Sequence, residues 1–146
     1  MKPKPTLAID FDGTIALCRE YPFVAEPVKG AVAALRYFNS LNIKFFIWTC
    51  RGSQGGADKL AAQFLNERGI KSSGFNTNRN QRTWTDSPKM SCTHYIDDRA
   101  LGCPILRQNG VDVVDWDKVM RELTRLHPNI FSMADYREFV DREEAA

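Results

Sequence analysis

Two aspartates follow directly after a short nonpolar run near the start of the chain. The sequence there reads TLAIDFDGTIAL, in which Leu7–Ile9 are nonpolar and Asp10 and Asp12 come next. Carboxylates this close raise each other's pKa, so the pair is unfavourable for stability on its own. Side chains two residues apart in an extended segment point the same way, so both acids can converge on one ligand. The pair is therefore a candidate for catalysis or metal binding.

Polar side chains also close two later strand-like segments. The nonpolar run IKFFIWT ends at Thr49, and the segment THYID ends in Asp97 and Asp98. The carboxyl ends of parallel strands share one edge of a sheet, where ligands bind in open α/β folds. Acids gathered there repel each other unless a cation lies among them, and an all-oxygen set suits Mg²⁺. We therefore predict a Mg²⁺ site that joins these two acids to Asp10 and Asp12.

Strand and helix signals alternate along the chain, and this alternation predicts the fold. Strands are predicted over 7–9, 43–49, 70–75, 93–97 and 111–114, and helices over 27–41, 57–68, 117–126 and 133–146. The polar stretch 76–91 is predicted to be a surface loop. The pattern is typical of an α/β protein with an open, mostly parallel sheet covered by helices on both faces, a three-layer Rossmann-like fold. We expect one catalytic domain over 1–128 and a helical tail over 129–146.

Composition narrows the choice of partners and compartment. The 146 residues carry 20 Lys and Arg against 18 Asp and Glu, a net charge of +2. This balance gives no field of the kind expected of a dedicated duplex-DNA binder. The sequence has no membrane-length nonpolar run and no signal-peptide core, so we expect a cytoplasmic protein without a membrane partner. The four cysteines form no CxxC pair and are predicted to be reduced thiols.

Other phosphate and metal motifs do not fit the sequence. With Asp10 as the first position of an EF-hand loop, the sixth is Ile15 instead of glycine and the twelfth is Tyr21 instead of glutamate. The glycines of RGSQGGADK do not have the spacing of a phosphate-binding P-loop. Cys50 is followed six residues later by Gly56, whereas a cysteine-dependent phosphatase requires arginine there. Covalent chemistry through sulfur is therefore not expected.

Four segments of the chain resemble, in order, the four motifs of the haloacid dehalogenase (HAD) superfamily. These segments are DFDGT, FIWTCRG, SPKMS and YIDDR, within a match that runs from about residue 6 to 115. The chain is most similar to the small members of that superfamily, which have no cap domain. Its IDDR ending resembles the polynucleotide 3′-phosphatase and deoxyribonucleotidase relatives. The segments between the motifs leave no room for a cap.

The resemblance implies a Mg²⁺-dependent phosphatase. Asp10 would be the nucleophile that forms an aspartyl-phosphate, and Asp12 would be first the general acid and then the general base. Thr49 would bind a phosphoryl oxygen, while Lys89 would balance the negative charge of the transferring group. Lys59 and Lys71 are alternatives for the role of Lys89.

The resemblance also implies a metal site and substrate contacts. Mg²⁺ would be held by Asp10, Asp97, Asp98 and the main-chain carbonyl of Asp12. The residues predicted to bind substrate are Gly13, Thr14, Cys50 and Arg51. Arginines at strand ends more often pair with nearby acids, and this pairing is the alternative for Arg51 and Arg99.

The loop around Trp84 suggests a substrate, and two other functions stay open. An uncapped site implies a large substrate, such as a phosphorylated polymer, or closure by loops or another subunit. The loop over 71–89 is basic, and Trp84 could stack on a base, so the expected substrate is a nucleotide or nucleic-acid end. A solvated loop anchored by Trp84 is the alternative. The other functions are a receiver-like signalling domain, whose acids come in a different order, and a phosphate-binding module without turnover.

Overall fold

The computed structural model describes residues 3–146 and contains a four-stranded parallel sheet. Its strands lie in the order β3-β2-β1-β4 and comprise β1 (Leu7–Ile9), β2 (Phe45–Ile47), β3 (Gly74–Phe75) and β4 (His94–Ile96). All residues of β1 and β2 are buried, as expected for central strands of a parallel sheet. The predicted parallel sheet flanked by helices is confirmed.

Four helices accompany this sheet in the described residues. They are α1 (Ala31–Ser40), α2 (Ala57–Glu67), α3 (Trp116–Leu126) and α4 (Met133–Ala145). Helix α1 begins four residues later than predicted, because Gly30 has a φ of 81° and therefore leaves the helical region. A Cβ atom at Gly30 would lie 2.6 Å from Oη of Tyr136, so glycine here also lets α4 pack closely.

The helices cover one face of the sheet, and a loop covers the other. The buried nonpolar residues of all four helices belong to one cluster with Leu7, Ile9, Phe45 and Ile47. The alternate strand residues Ala8 and Phe46 point to the opposite face, where they pack against Met90, Trp48 and Cys92. The prediction of helices on both faces is thus corrected. The second covering layer is the segment 76–92, which contains one short 3₁₀ helix (Arg79–Thr83).

The strand order explains this arrangement. Connections between parallel strands are right-handed. The connections from β1 to β2 and from β2 to β3 move in the same direction across the sheet, so their helices α1 and α2 lie on the same face. The connection from β3 to β4 returns across the sheet and must therefore lie on the opposite face. The segment 76–92 is this returning connection.

The C-terminal segment covers the outer surface of α1. Tyr37 of α1 packs against the rings of Phe131, Tyr136 and Phe139, with centroids 5.5–6.4 Å apart. The backbone N–H of Ser132 donates to Oη of Tyr37 at 2.8 Å. The residues predicted as a helical tail therefore form part of the same hydrophobic core as the sheet.

A separate β-hairpin follows the parallel sheet. Strands β5 (Ile105–Gln108) and β6 (Val111–Val114) pair antiparallel across a two-residue Asn109–Gly110 turn, in which both residues have positive φ. This is the geometry of a type I′ hairpin turn. We predicted the second strand but not the first. The hairpin is attached to the first loop of the chain, because the N–H of Val114 donates to the carbonyl of Gly13 at 2.9 Å.

Two smaller predictions concern membranes and cysteines. Within residues 3–146, no helix has the length and nonpolar character needed to span a bilayer. All four cysteines are free thiols, as predicted.

Candidate functional site

Three aspartates meet at the carboxyl edge of the sheet, between β1 and β4. Ile9 and Ile96 are partners in the parallel ladder, and the N–H of Asp10 continues it by donating to the carbonyl of Ile96 at 2.9 Å. One carboxylate oxygen from each of Asp10, Asp97 and Asp98 lies within 4.8 Å of the other two. The connections from β1 to β3 run toward one edge of the sheet, and the next strand, β4, lies on the other side of β1. Ligands of open α/β sheets bind at such switch points, outside the carboxyl ends of the strands.

The electrostatics of this cluster favour a bound cation. Burial, a hydrogen bond with Asp98 and the negative charge of Asp97 raise the pKa of Asp10 to about 8, despite a hydrogen bond from Thr14 that lowers it. Burial also raises the pKa of Asp98. At neutral pH the metal-free cluster therefore retains a proton. A divalent cation bound there would stabilise the ionised carboxylates and displace this proton.

Thr14 and Gly13 hold the acids in place. The Thr14 hydroxyl donates to Oδ2 of Asp10 at 3.0 Å and accepts from the N–H of Asp98 at 3.2 Å. Thr14 is fully buried, and the Gly13 N–H donates to the carbonyl of Ala16 at 2.9 Å. The Thr14 side chain is thus used within the protein, which corrects the prediction that it binds substrate, whereas the predicted substrate contact of Gly13 stays a prediction. Gly13 has a φ of 77°, and a Cβ there would lie 2.4 Å from Oδ2 of Asp98.

Asp12 lies outside the three-acid cluster and pairs with Arg51. Nε and Nη2 of Arg51 donate to the two carboxylate oxygens of Asp12, each at 2.8 Å. Nη1 of the same guanidinium donates to the carbonyls of Pro22 and Ala57. The Arg51 side chain is 0% exposed. The predicted substrate contact by Arg51 is therefore wrong for this structure, and the alternative of pairing with an acid is the one observed.

Thr49 and Cys50 belong to a short loop that Asn76 fastens to β3. The side chain of Asn76 accepts from the N–H of Thr49 at 2.8 Å and donates to the carbonyl of Arg51 at 3.2 Å. The Thr49 hydroxyl accepts from the N–H of Arg51 at 3.1 Å, which leaves its own O–H to donate elsewhere. Cys50 is exposed. Our sequence analysis missed Asn76, although an asparagine directly after a strand is a common turn residue.

The predicted lysines occupy different regions. Lys89 is exposed, and no hydrogen bond or ion pair of its ammonium occurs in the described part of the chain. It immediately precedes Met90, which is buried against Ala8 and Phe46 on the loop-covered face. Lys71 hydrogen-bonds through its backbone to Asn39 at the end of α1. This contact puts Lys71 at the amino edge of the sheet, opposite the acids, so it is no alternative to Lys89.

Fold and site together define an α/β protein with an acidic cluster at the switch point of a parallel sheet. Among solved structures, the chain is similar to a conserved protein from Bacteroides thetaiotaomicron, with a TM-score of 0.69 and 25% sequence identity. The similarity covers 91% of this chain and 97% of that one. No protein-family model and no curated protein matches the sequence. The similarity supports the fold and carries no statement about activity.

Proposed function

We propose that the protein is a Mg²⁺-dependent phosphatase of the HAD type, a phosphoric monoester hydrolase that works through an aspartyl-phosphate on Asp10. The observation that carries the proposal is the meeting of Asp10, Asp97 and Asp98 within 4.8 Å at the switch point of the sheet. Three partly buried carboxylates this close together are unfavourable unless they bind a cation. Their position at the carboxyl edge is where substrates reach an open α/β sheet.

The donor set fits Mg²⁺. All three side chains offer oxygen, whereas histidine and cysteine ligands are absent from the cluster. The main-chain carbonyl of Asp12 is a further oxygen ligand in this proposal. Mg²⁺, when bound, would neutralise charge on the phosphoryl group and on the acids. The geometry that holds these ligands comes from Thr14 and from the close approach of Gly13 to Asp98.

In the first step, a carboxylate oxygen of Asp10 forms a bond to phosphorus while the bond from phosphorus to the ester oxygen breaks. Asp12 gives a proton to the departing oxygen. In the second step, Asp12 takes a proton from water, and the water oxygen attacks phosphorus as the bond to Asp10 breaks. Inorganic phosphate and the free carboxylate of Asp10 result. Both oxygens of Asp12 face Arg51 in this structure, so the ion pair must open before Asp12 can reach the substrate.

Thr49 and Lys89 complete the proposed site. The Thr49 O–H is free to donate to a phosphoryl oxygen, because its lone pair already accepts from the Arg51 backbone. The Lys89 ammonium forms no ion pair in the described part of the chain. The adjacent Met90 packs against Ala8 of β1, two residues before Asp10. A flexible lysine there can balance charge during phosphoryl transfer. The substrate class that we favour is a nucleotide or a nucleic-acid end.

Release of phosphate from p-nitrophenyl phosphate tests the proposal. We expect release that requires Mg²⁺ and that is lost in Asp10→Asn. Asp141→Asn is the matched control, because Asp141 is an exposed residue on α4, far along the chain from the acids. Absence of Mg²⁺-dependent release by the wild-type protein would overturn the proposal. A phosphorylated state that persists for hours without turnover would favour a receiver-like signalling domain instead.

A further inference from the structure

A second feature lies on the loop-covered face, beside the acids. The segment 76–92 and the end of β2 line an open cavity of about 520 Å³. This volume lies within the range of about 300–1,000 Å³ that is usual for small-molecule sites. Trp48 and Met90 supply its nonpolar surface, and Arg82, Asp86 and Ser87 supply polar groups. We call this cavity the loop pocket.

The loop pocket lies beside β1, at the sheet edge where β1 ends in Asp10, although Asp10 is not one of its lining residues. Ile9 of β1 pairs with Ile47 of β2, and the N–H of Trp48 continues the ladder by donating to the carbonyl of Ile9 at 2.9 Å. Asp10 and Trp48 are therefore level with each other on adjacent strands, which lie about 4.8 Å apart. By the alternation of side chains, Asp10 points to the same face as Ala8, and Trp48 packs on that face with Phe46. A substrate that holds its phosphoryl group at Asp10 would therefore reach the pocket with a leaving group that extends from the end of β1 to the neighbouring end of β2.

The wall of the loop pocket is held in shape by a buried side chain. Gln81 is only 7% exposed, and its Nε2 donates to the carbonyl of Lys89 at 2.8 Å. Its Oε1 accepts from the N–H of Ser91 at 2.8 Å. These bonds join the 3₁₀ helix to the segment that returns to β4. The buried Gln81 side chain therefore fixes the two sides of the wall relative to each other.

The chemistry of the loop pocket favours a flat, uncharged ligand with polar edges. Its two charged residues, Arg82 and Asp86, are of opposite sign, so the lining has no net charge. A nucleic-acid strand would need several cations to meet its phosphates. We expected the basic loop over 71–89 to supply these cations. Its first basic residue, Lys71, lies at the opposite edge of the sheet and cannot contribute. The indole of Trp48 instead offers a stacking surface for one aromatic ring.

We propose that the loop pocket binds the leaving group of the substrate, and that this group is a single nucleoside. This inference rests on the phosphatase function proposed above and narrows it to nucleoside monophosphates in preference to polynucleotide ends. The base stacks on Trp48. Its polar edge meets Arg82 and Asp86, while the phosphate lies at Asp10.

Steady-state kinetics on the full chain with Mg²⁺ test this inference. Ribose 5-phosphate and a nucleoside 5′-monophosphate differ only in the base, so we expect kcat/KM to be about tenfold or more higher for at least one of the four common nucleotides. A 5′- or 3′-phosphorylated oligonucleotide should be a poorer substrate than the matching mononucleotide. Acetyl phosphate, which has no ring, reports the chemistry at Asp10 alone.

Substitutions of lining residues, compared with substitutions outside the lining, test whether the preference for nucleotides comes from the loop pocket. Arg82→Gln and Asp86→Asn should each raise KM for the nucleotide about fivefold and leave acetyl phosphate hydrolysis unchanged. Arg79→Gln and Asp141→Asn, which alter exposed residues outside the lining, should change neither activity. Trp48→Leu should also raise KM for the nucleotide, whereas Trp84→Leu, at a residue 69% exposed, should not. Thermal melting checks that Trp48→Leu is folded, and the Arg82 and Asp86 variants test the pocket independently of it.

The outcomes separate the two proposals. If the wild-type protein hydrolyses neither acetyl phosphate nor p-nitrophenyl phosphate, both proposals fall. If it hydrolyses these probes but treats ribose 5-phosphate and the nucleotides alike, the phosphatase stands and the loop pocket inference is overturned. A tenfold preference for the oligonucleotide over the mononucleotide would also overturn the inference.

Discussion

Arg51 holds both carboxylate oxygens of Asp12 through two hydrogen bonds of 2.8 Å. The same guanidinium donates to the carbonyl of Pro22, in the loop after Asp12, and to the carbonyl of Ala57, at the start of α2. It also lies 5.2 Å from the ring centroids of Phe11 and Tyr21. One buried cation therefore fixes the orientation of Asp12 relative to the body of the protein.

Arg51→Gln should destabilise the protein more than the loss of a surface ion pair does. We expect a loss of about 2–4 kcal/mol in the free energy of unfolding, because the partly buried Asp12 loses its cation. The loss should stay below that of a fully buried pair, since Asp12 is 33% exposed. Arg107→Gln is the control, because Arg107 and Asp112 form an exposed pair that should contribute less than about 1 kcal/mol. Equal losses in urea unfolding of the two variants would contradict this account.

Gly13→Ala should lower metal affinity beyond its effect on stability. The added Cβ would lie 2.4 Å from Oδ2 of Asp98, so the Asp98 carboxylate must move away from Gly13 and leave its present place in the cluster. Gly69→Ala is a matched control, because Gly69 has a φ of 66° and a Cβ added there would meet no other part of the chain within 4 Å. Both variants should lose about 1–2 kcal/mol from backbone strain. Isothermal titration with Mg²⁺ should show weaker binding in Gly13→Ala alone, and unchanged binding there would contradict the role assigned to Asp98.

The stability of the metal-free protein should fall as pH rises from about 4 to 8. The pKa of Asp10 is about 8 in the folded protein and about 3.9 in an unfolded chain, so over this interval the folded state binds a proton that the unfolded state has lost. Stability from this group is complete below the unfolded pKa and is lost as pH rises through the folded pKa. The measurement is urea unfolding of wild type and Asp10→Asn in a chelator across this range.

The difference between the two proteins isolates the contribution of Asp10. The pKa of His94 is lowered by burial and by His127, so this group has the opposite pH dependence in both proteins. Burial also raises the pKa of Asp98, which contributes a decline toward alkaline pH in both proteins. Asp10→Asn should therefore show a smaller decline than the wild type, and Mg²⁺ should stabilise the wild type most at the alkaline end. Parallel stability curves for the two proteins would show that Asp10 is not the group responsible.

Asn76→Ala should impair the site through Thr49. Its side chain bridges the N–H of Thr49 and the carbonyl of Arg51, and its φ of 56° is also unfavourable for alanine. Asn76→Gly separates the two effects, because glycine accepts the backbone conformation but lacks the bridge. We expect both variants to lower kcat for p-nitrophenyl phosphate about tenfold, with only Asn76→Ala showing a large loss of stability. Normal kcat in Asn76→Gly would show that the bridge does not position Thr49.

The strands could be predicted because their signal is local. Leu7–Ile9 and Phe45–Ile47 are continuous nonpolar runs, and turn-forming residues surround them. The meeting of Asp10 with Asp97 and Asp98 could also be expected, since it requires only that β1 and β4 be parallel neighbours. The missed strand β5 had a readable signal in Asn109–Gly110, a dipeptide that favours two-residue hairpins.

Tertiary contacts determine the features that the sequence did not reveal. The start of α1 depends on how Tyr136, more than 100 residues away, packs against Gly30. The pairing of Arg51 depends on the distance between the ends of β1 and β2 and on the burial of the guanidinium. Likewise, the loop pocket follows from the reversal of strand order, which sends the segment 76–92 to the face that carries Trp48.

The most direct test of the central claim is a search for a phosphoryl group on Asp10. Asp12→Asn should still accept a phosphoryl group from acetyl phosphate, because acetate leaves without a proton, but it should release the group slowly since it lacks the general base. Mass spectrometry of the peptide that contains Asp10, after incubation with Mg²⁺ and acetyl phosphate, is predicted to show one added phosphoryl group. A folded Asp12→Asn protein with no modification, or with the group on another residue, would contradict the account.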